Sequence, residues 1–124
     1  MNAPKELPLV EITLEDGELV VETLKKGLRQ NKVETVLLES VSGKVRDVTI
    51  AQFVGGKFFQ KKLNDDFLIT SISGKLSERG NLGYKGDVIV SLATGGDKTL
   101  GGVLTEARAI GDVTIKGRIV SFKQ

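Results

Sequence analysis

The chain contains neither cysteine nor histidine among its 124 residues. Without cysteine there is no disulfide, no thiolate nucleophile and no cysteine-ligated zinc, and without histidine no imidazole ligates a metal or moves a proton near neutral pH. Serine–histidine and cysteine–histidine mechanisms are excluded outright. The lack of cysteine fits a reducing cytoplasm, which is the expected location. Aromatic residues make up only 5% of the chain, far from the aromatic and basic surface of a dedicated nucleic-acid binder. No apolar run approaches the roughly 18 residues of a membrane span. Residues 1–8 carry two prolines, one lysine and one glutamate but no apolar stretch of a signal peptide. They are expected to be a flexible lead-in to a single domain over residues 9–124.

What is present is ordinary globular composition, 40% hydrophobic and 27% charged, with a formal net charge of +2. That charge is unevenly placed. Residues 1–56 sum to −2 and residues 57–124 to +4, a tilt that permits weak, sequence-independent contact with DNA without pointing to it.

One segment reads as a helix. From Glu18 to Gln30 the apolar residues Val20, Val21, Leu24 and Leu28 recur at helical spacing, with Glu22, Lys25, Lys26 and Arg29 on the remaining arc. Asp16 is placed to cap the N-terminus and Asn31 to end the helix. Gly27 in its middle predicts close packing against a sheet. Elsewhere the pattern is β: Leu9–Leu14, Glu34–Ala51 with a break at Gly43, Lys57–Leu63, Phe67–Leu76, Val88–Ala93, Leu100–Ala109 and Val113–Phe122, with Gly111-Asp112 as the turn between the last two. The expected fold is α+β, one helix packed on a mainly antiparallel, curled sheet of six or seven strands.

Few residues invite chemistry. Thr94-Gly95-Gly96-Asp97-Lys98-Thr99 has glycines beside a lysine and a threonine but not the spacing of a phosphate-binding loop, and a strand follows it, so it reads as a hairpin turn. Asp65, Asp66 and Asp112 fall in turns, where their side chains bond to nearby backbone. Asp87 and Glu106 fall at or inside strands and remain acid–base candidates. Lys61, Lys62, Lys116 and Arg118 are candidate nucleic-acid contacts, Lys116 and Arg118 sharing a face by two-residue alternation.

The second half of the chain carries a resemblance. Phe67-Leu68-Ile69-Thr70-Ser71-Ile72-Ser73-Gly74, Val90-Ser91-Leu92, Gly101-Gly102-Val103-Leu104-Thr105-Glu106-Ala107 and Ile110-Gly111, preceded by Ser40-Val41-Ser42-Gly43-Lys44-Val45-Arg46-Asp47-Val48, resemble in order and spacing the plant and prokaryote conserved (PPC) domain. That domain stands alone in bacteria and archaea and follows AT-hooks in plant nuclear proteins. The resemblance implies a trimer built through sheet faces and edges and, in members with a histidine pair and a third histidine, a metal site. The matching positions here are Asp87, Ile89 and Val103. Two are aliphatic, so no metal and no cofactor is expected, and the vacated site with nearby Glu106 becomes a candidate ligand pocket. The plant proteins' interaction motif falls on Asp65–Thr70, where only Phe67 and Ile69 match.

Two functions follow as expectations. One is a non-catalytic homotrimeric module, contacting DNA weakly or another protein, with Ile89, Val103, Val120 and Phe122 nearest the interface. The alternative is a small-molecule binder or degenerate enzyme using the pocket near Asp87, Ile89, Val103 and Glu106.

Overall fold

The computed structural model describes residues 7–96 and 98–124. Met1–Glu6 of the expected flexible lead-in, and Asp97 of the expected turn over 94–99, lie outside the described residues. The elements are β1 (Leu9–Leu14), α1 (Val20–Gln30), β2 (Val33–Val54), β3 (Lys57–Leu63), β4 (Phe67–Glu78), β5 (Tyr84–Lys85), β6 (Ile89–Ala93) and β7 (Thr99–Phe122), with a 3-10 turn at Gly80–Leu82. They form the expected α+β arrangement, one helix on a seven-stranded, all-antiparallel sheet.

The sheet curls until it meets itself. β2 pairs with β4, β4 with β6, β6 with the first residues of β7, and β7 returns to β2 along most of its length. Pairing therefore closes into a small barrel, and β1 and β3 sit outside that ring as edges. Closure explains the burial. Val36, Val45, Ile50, Leu76, Val90, Leu92 and Ile115 point inward and are buried, while their neighbours Leu37 and Ile89 face out. A strand apolar on both sides is satisfied inside by the barrel and left open outside.

Two expected breaks are absent. β2 passes through Gly43 and β7 through Gly111-Asp112, because the two bends face each other: Ser42 pairs with Thr114 and Lys44 with Ile110 across a shift in register. Bulges of this kind bend a long strand without ending it. Gly43 has φ 138°, and a Cβ there would lie 2.7 Å from Val113 Cγ2 and 3.0 Å from Asp112 O, so the strands approach this closely only over a glycine.

The helix starts two residues later than its periodicity implied. It begins after Leu19, which offers no capping side chain. Val20, Leu24 and Leu28 are buried, against β7, β1 and β2. A Cβ on Gly27 would come within 2.9 Å of Ile12 on β1, which is the close packing its glycine suggested. Asn31 closes the helix, its Nδ2 donating to Gly27 O at 2.7 Å.

Candidate functional site

Ile89 and Val103 are direct partners across β6 and β7, and Val103 is in turn opposite Ala51 of β2. These residues form a row on the outside of the barrel. Two residues beyond Ala51 stands Phe53, paired with Phe58 of β3, their ring centroids 5.0 Å apart. Over Gly101, which adds no side chain, these groups line an open groove of about 430 Å³.

The groove exists because the β2–β3 hairpin outruns the barrel. β7 stops pairing with β2 at Ala51, so beyond that point β2 has only β3 beside it. Phe53, Val54, Phe58 and Phe59 are 64%, 60%, 66% and 55% exposed, which makes the arm apolar on both faces with nothing of its own chain to cover it. Sequence reasoning passed over these phenylalanines. The signal was there in Lys57–Leu63, whose Lys-Phe-Phe-Gln-Lys-Lys-Leu pattern lacks the alternation of a core-facing strand, and in the structure only Leu63 of it is buried.

Asp87 and Glu106 do not join the groove. Asp87 is exposed in the connection before β6. Glu106 turns to the helix: its Oε1 accepts the backbone N–H of Val21 at 2.7 Å and of Ala107 at 3.0 Å, and its Oε2 that of Glu22 at 3.1 Å. It is the missing cap, supplied by β7, with a negative charge at the positive end of the helix dipole. Asp16, expected in that role, instead accepts the N–H of Gly111 at 2.7 Å. A metal does not fit the family position, since Ile89 and Val103 are aliphatic and the Glu106 carboxylate is already occupied by three N–H groups. Among the described residues no group of three His, Cys, Asp or Glu side chains comes together to hold an ion.

The four cations divide into two pairs. Lys116 Nζ lies 3.9 Å from Glu11, and Arg118 Nε donates to Glu39 at 2.6 Å and its Nη1 to Leu7 O at 3.1 Å. Lys61 and Lys62 are exposed on β3. Val120 and Phe122 are also exposed, but they close β7 beside Val33, at the opposite end of β2 from the groove.

A further cluster ties the chain's end to the barrel. Glu78, its side chain 9% exposed, is ion-paired to Lys123, and one of its oxygens is buried with no hydrogen-bond partner among the described residues. The hydrogen bond from Lys123 holds its carboxyl below the usual 4.5. Tyr84 donates its hydroxyl to Val33 O, and burial, reinforced by the Glu78 charge, pushes the phenol up to about 12.

No helix among the described residues is long and apolar enough to cross a membrane. No curated protein matches the chain in sequence. Among solved structures it is similar to a PPC protein of Pyrococcus horikoshii (16% identity over 96% of this chain and 83% of that one, TM-score 0.79). It is similar also to a metal-containing protein of Archaeoglobus fulgidus (18%, 96% and 84%, 0.81) and to a candidate DNA-binding protein of Bacteroides thetaiotaomicron (13%, 93% and 80%, 0.73). At such identities the likeness is one of fold. The family model for the Plants and Prokaryotes Conserved (PCC) domain matches residues 1–117.

Proposed function

The chain belongs to the Plants and Prokaryotes Conserved domain family, and from that premise we propose that residues 9–124 act as one non-catalytic module that assembles with copies of itself into a homotrimer. The observation that carries this reading is the groove of Phe53, Phe58, Ile89 and Val103, an apolar surface that the chain leaves open to water. Contiguous exposed apolar surface of this kind favours association. Val120 and Phe122 supply a second, separate apolar patch. Two different patches on one subunit suit a head-to-tail contact that closes into a ring, and the number three is what the family resemblance implies.

Non-catalytic is the reading that the carboxylates support. Glu106 and Asp16 are engaged by backbone N–H groups, which leaves neither poised as a general base. The alternative small-molecule pocket loses Glu106 for the same reason. Duplex DNA, in this reading, is bound weakly and without sequence preference, because Lys116 and Arg118 each face a carboxylate.

Light scattering coupled to size exclusion at micromolar concentration tests the assembly. The expected mass is about three times the 13.3 kDa of one chain, falling on Phe58→Ser. A wild-type protein eluting as a clean monomer refutes it.

A further inference from the structure

The β2–β3 arm has a second face. Alternation along β3 places Lys57, Phe59 and Lys61 together on the side opposite Phe58, across from Val54, Gln52 and Ile50 of β2. Two lysines four residues apart on a strand stand about 13 Å apart, with the ring midway between them. All three side chains are exposed, and none of the lysines of the arm has a carboxylate within ion-pair distance among the described residues. Residues 48–64 contain three of the chain's five phenylalanines and three lysines, and neither aspartate nor glutamate.

What sets the arm apart is the pairing of exposed rings with lysines over a stretch free of acids, whereas Lys116 and Arg118, on β7, each face a carboxylate. An exposed ring flanked by uncompensated positive charge on a narrow two-stranded arm suits a polyanion that also offers flat apolar surfaces. Single-stranded nucleic acid meets both demands, with phosphates for the lysines and a base for the ring. A duplex meets only the first, since its bases are stacked on one another. An acidic polypeptide likewise supplies charge without the repeated flat faces.

We propose that the Lys57–Phe59–Lys61 face of the arm is a binding platform for single-stranded nucleic acid, one base stacking on the Phe59 ring while flanking phosphates meet Lys57 and Lys61. Lys62, on the other face with Phe58, adds charge at the edge of β3. Lys57, Phe59 and Lys61 do not line the groove, although their cross-strand partners Val54 and Gln52 do, so the platform adjoins the groove without using its phenylalanines.

The test is fluorescence anisotropy with a labelled oligothymidylate of about 15 nucleotides, a duplex of equal length and polyglutamate as a competitor. The oligothymidylate is expected to bind more tightly than the duplex and to resist polyglutamate. Phe59→Ala should weaken it about tenfold with the salt dependence unchanged, while Phe59→Trp retains binding. Because the chain has no tryptophan, the fluorescence of Phe59→Trp reports stacking directly and should be quenched by the oligonucleotide. The Lys57→Ala/Lys61→Ala variant should flatten the slope of log affinity against log salt by about 1.4. Unchanged circular dichroism and subunit mass establish that each variant is folded and assembled as the parent. No binding at low salt, equal affinity for duplex, full displacement by polyglutamate or no effect of Phe59→Ala overturns the proposal. So does a change of mass in Phe59→Ala, which would assign this face to contacts between copies, whereas a monomeric wild type that still binds would overturn only the trimer.

Discussion

Glu106 on β7 accepts the backbone N–H of Val21 at 2.7 Å, although the two residues stand 85 positions apart in the chain. A helix whose own entry residue, Leu19, cannot cap it is thus capped by the strand beneath it. The bond ties α1 to the barrel in a fixed orientation, since the acceptor belongs to the sheet and the donors to the helix.

Replacing Glu106 by alanine leaves helix N–H groups without an acceptor and removes a charge from the dipole's positive end. Losses of capping groups cost about 0.5–2 kcal/mol, and a value toward the upper end is expected here because two helix donors lose their partner. Glu106→Gln keeps one acceptor oxygen and should fall between. Urea denaturation of the three proteins measures this; equal midpoints would show that the cap contributes nothing.

Tyr84 is the chain's one tyrosine, and tryptophan is absent, so ultraviolet absorbance of tyrosinate reports this residue alone. Its folded pKa of about 12 against an ordinary value of 10 means that the neutral phenol is favoured by folding. Stability from this group is complete below pH 10 and is lost as pH rises toward 12. Spectrophotometric titration should give a midpoint well above that of the urea-unfolded chain, and coincident midpoints would contradict the buried environment.

At the acid end the sign reverses. The carboxyl of Glu78 is held below 4.5 chiefly by its hydrogen bond from Lys123, so its contribution is present above that value and disappears as pH falls through the depressed folded pKa. Lys123→Met should flatten this part of the acid limb and destabilise the neutral protein, by leaving a mostly buried carboxylate unpaired. Denaturant midpoints across the acid range for both proteins decide it, and parallel profiles would count against the pair.

Gly43→Ala should be severely destabilising, on the order of 3 kcal/mol or more, because a forbidding φ and an overpacked contact act together. Its Cβ would sit 2.7 Å from Val113 Cγ2. Val113→Ala removes that atom but not the nearby Asp112 carbonyl, so it should rescue only part of the loss. Full rescue would assign the whole effect to the side chain.

Periodicity by itself determines much of the fold. The bounds of β1 and β3 coincide with the segments Leu9–Leu14 and Lys57–Leu63, and the helical stripe of Val20, Leu24 and Leu28 is the buried one, because alternation and helical spacing are local properties of the chain. Composition alone removed histidine and cysteine chemistry, and with Ile89 and Val103 at two positions where the resemblance implies histidines, the ligand set it describes is lacking.

Closure was decided only in three dimensions. No local pattern says that Lys44 lies opposite Ile110, so Gly43 and Gly111 looked like ends of strands when they are facing bends within two long ones. The role of Glu106 was hidden for the same reason, since its partner is the helix and not the pocket with Asp87 that the resemblance implied. The exposed arm follows from closure too: once β7 leaves β2 at Ala51, Phe53, Phe58 and Phe59 have no core to enter. Local spacing fixes which side of a strand a residue occupies, whereas what meets that side depends on pairings between residues far apart in the chain.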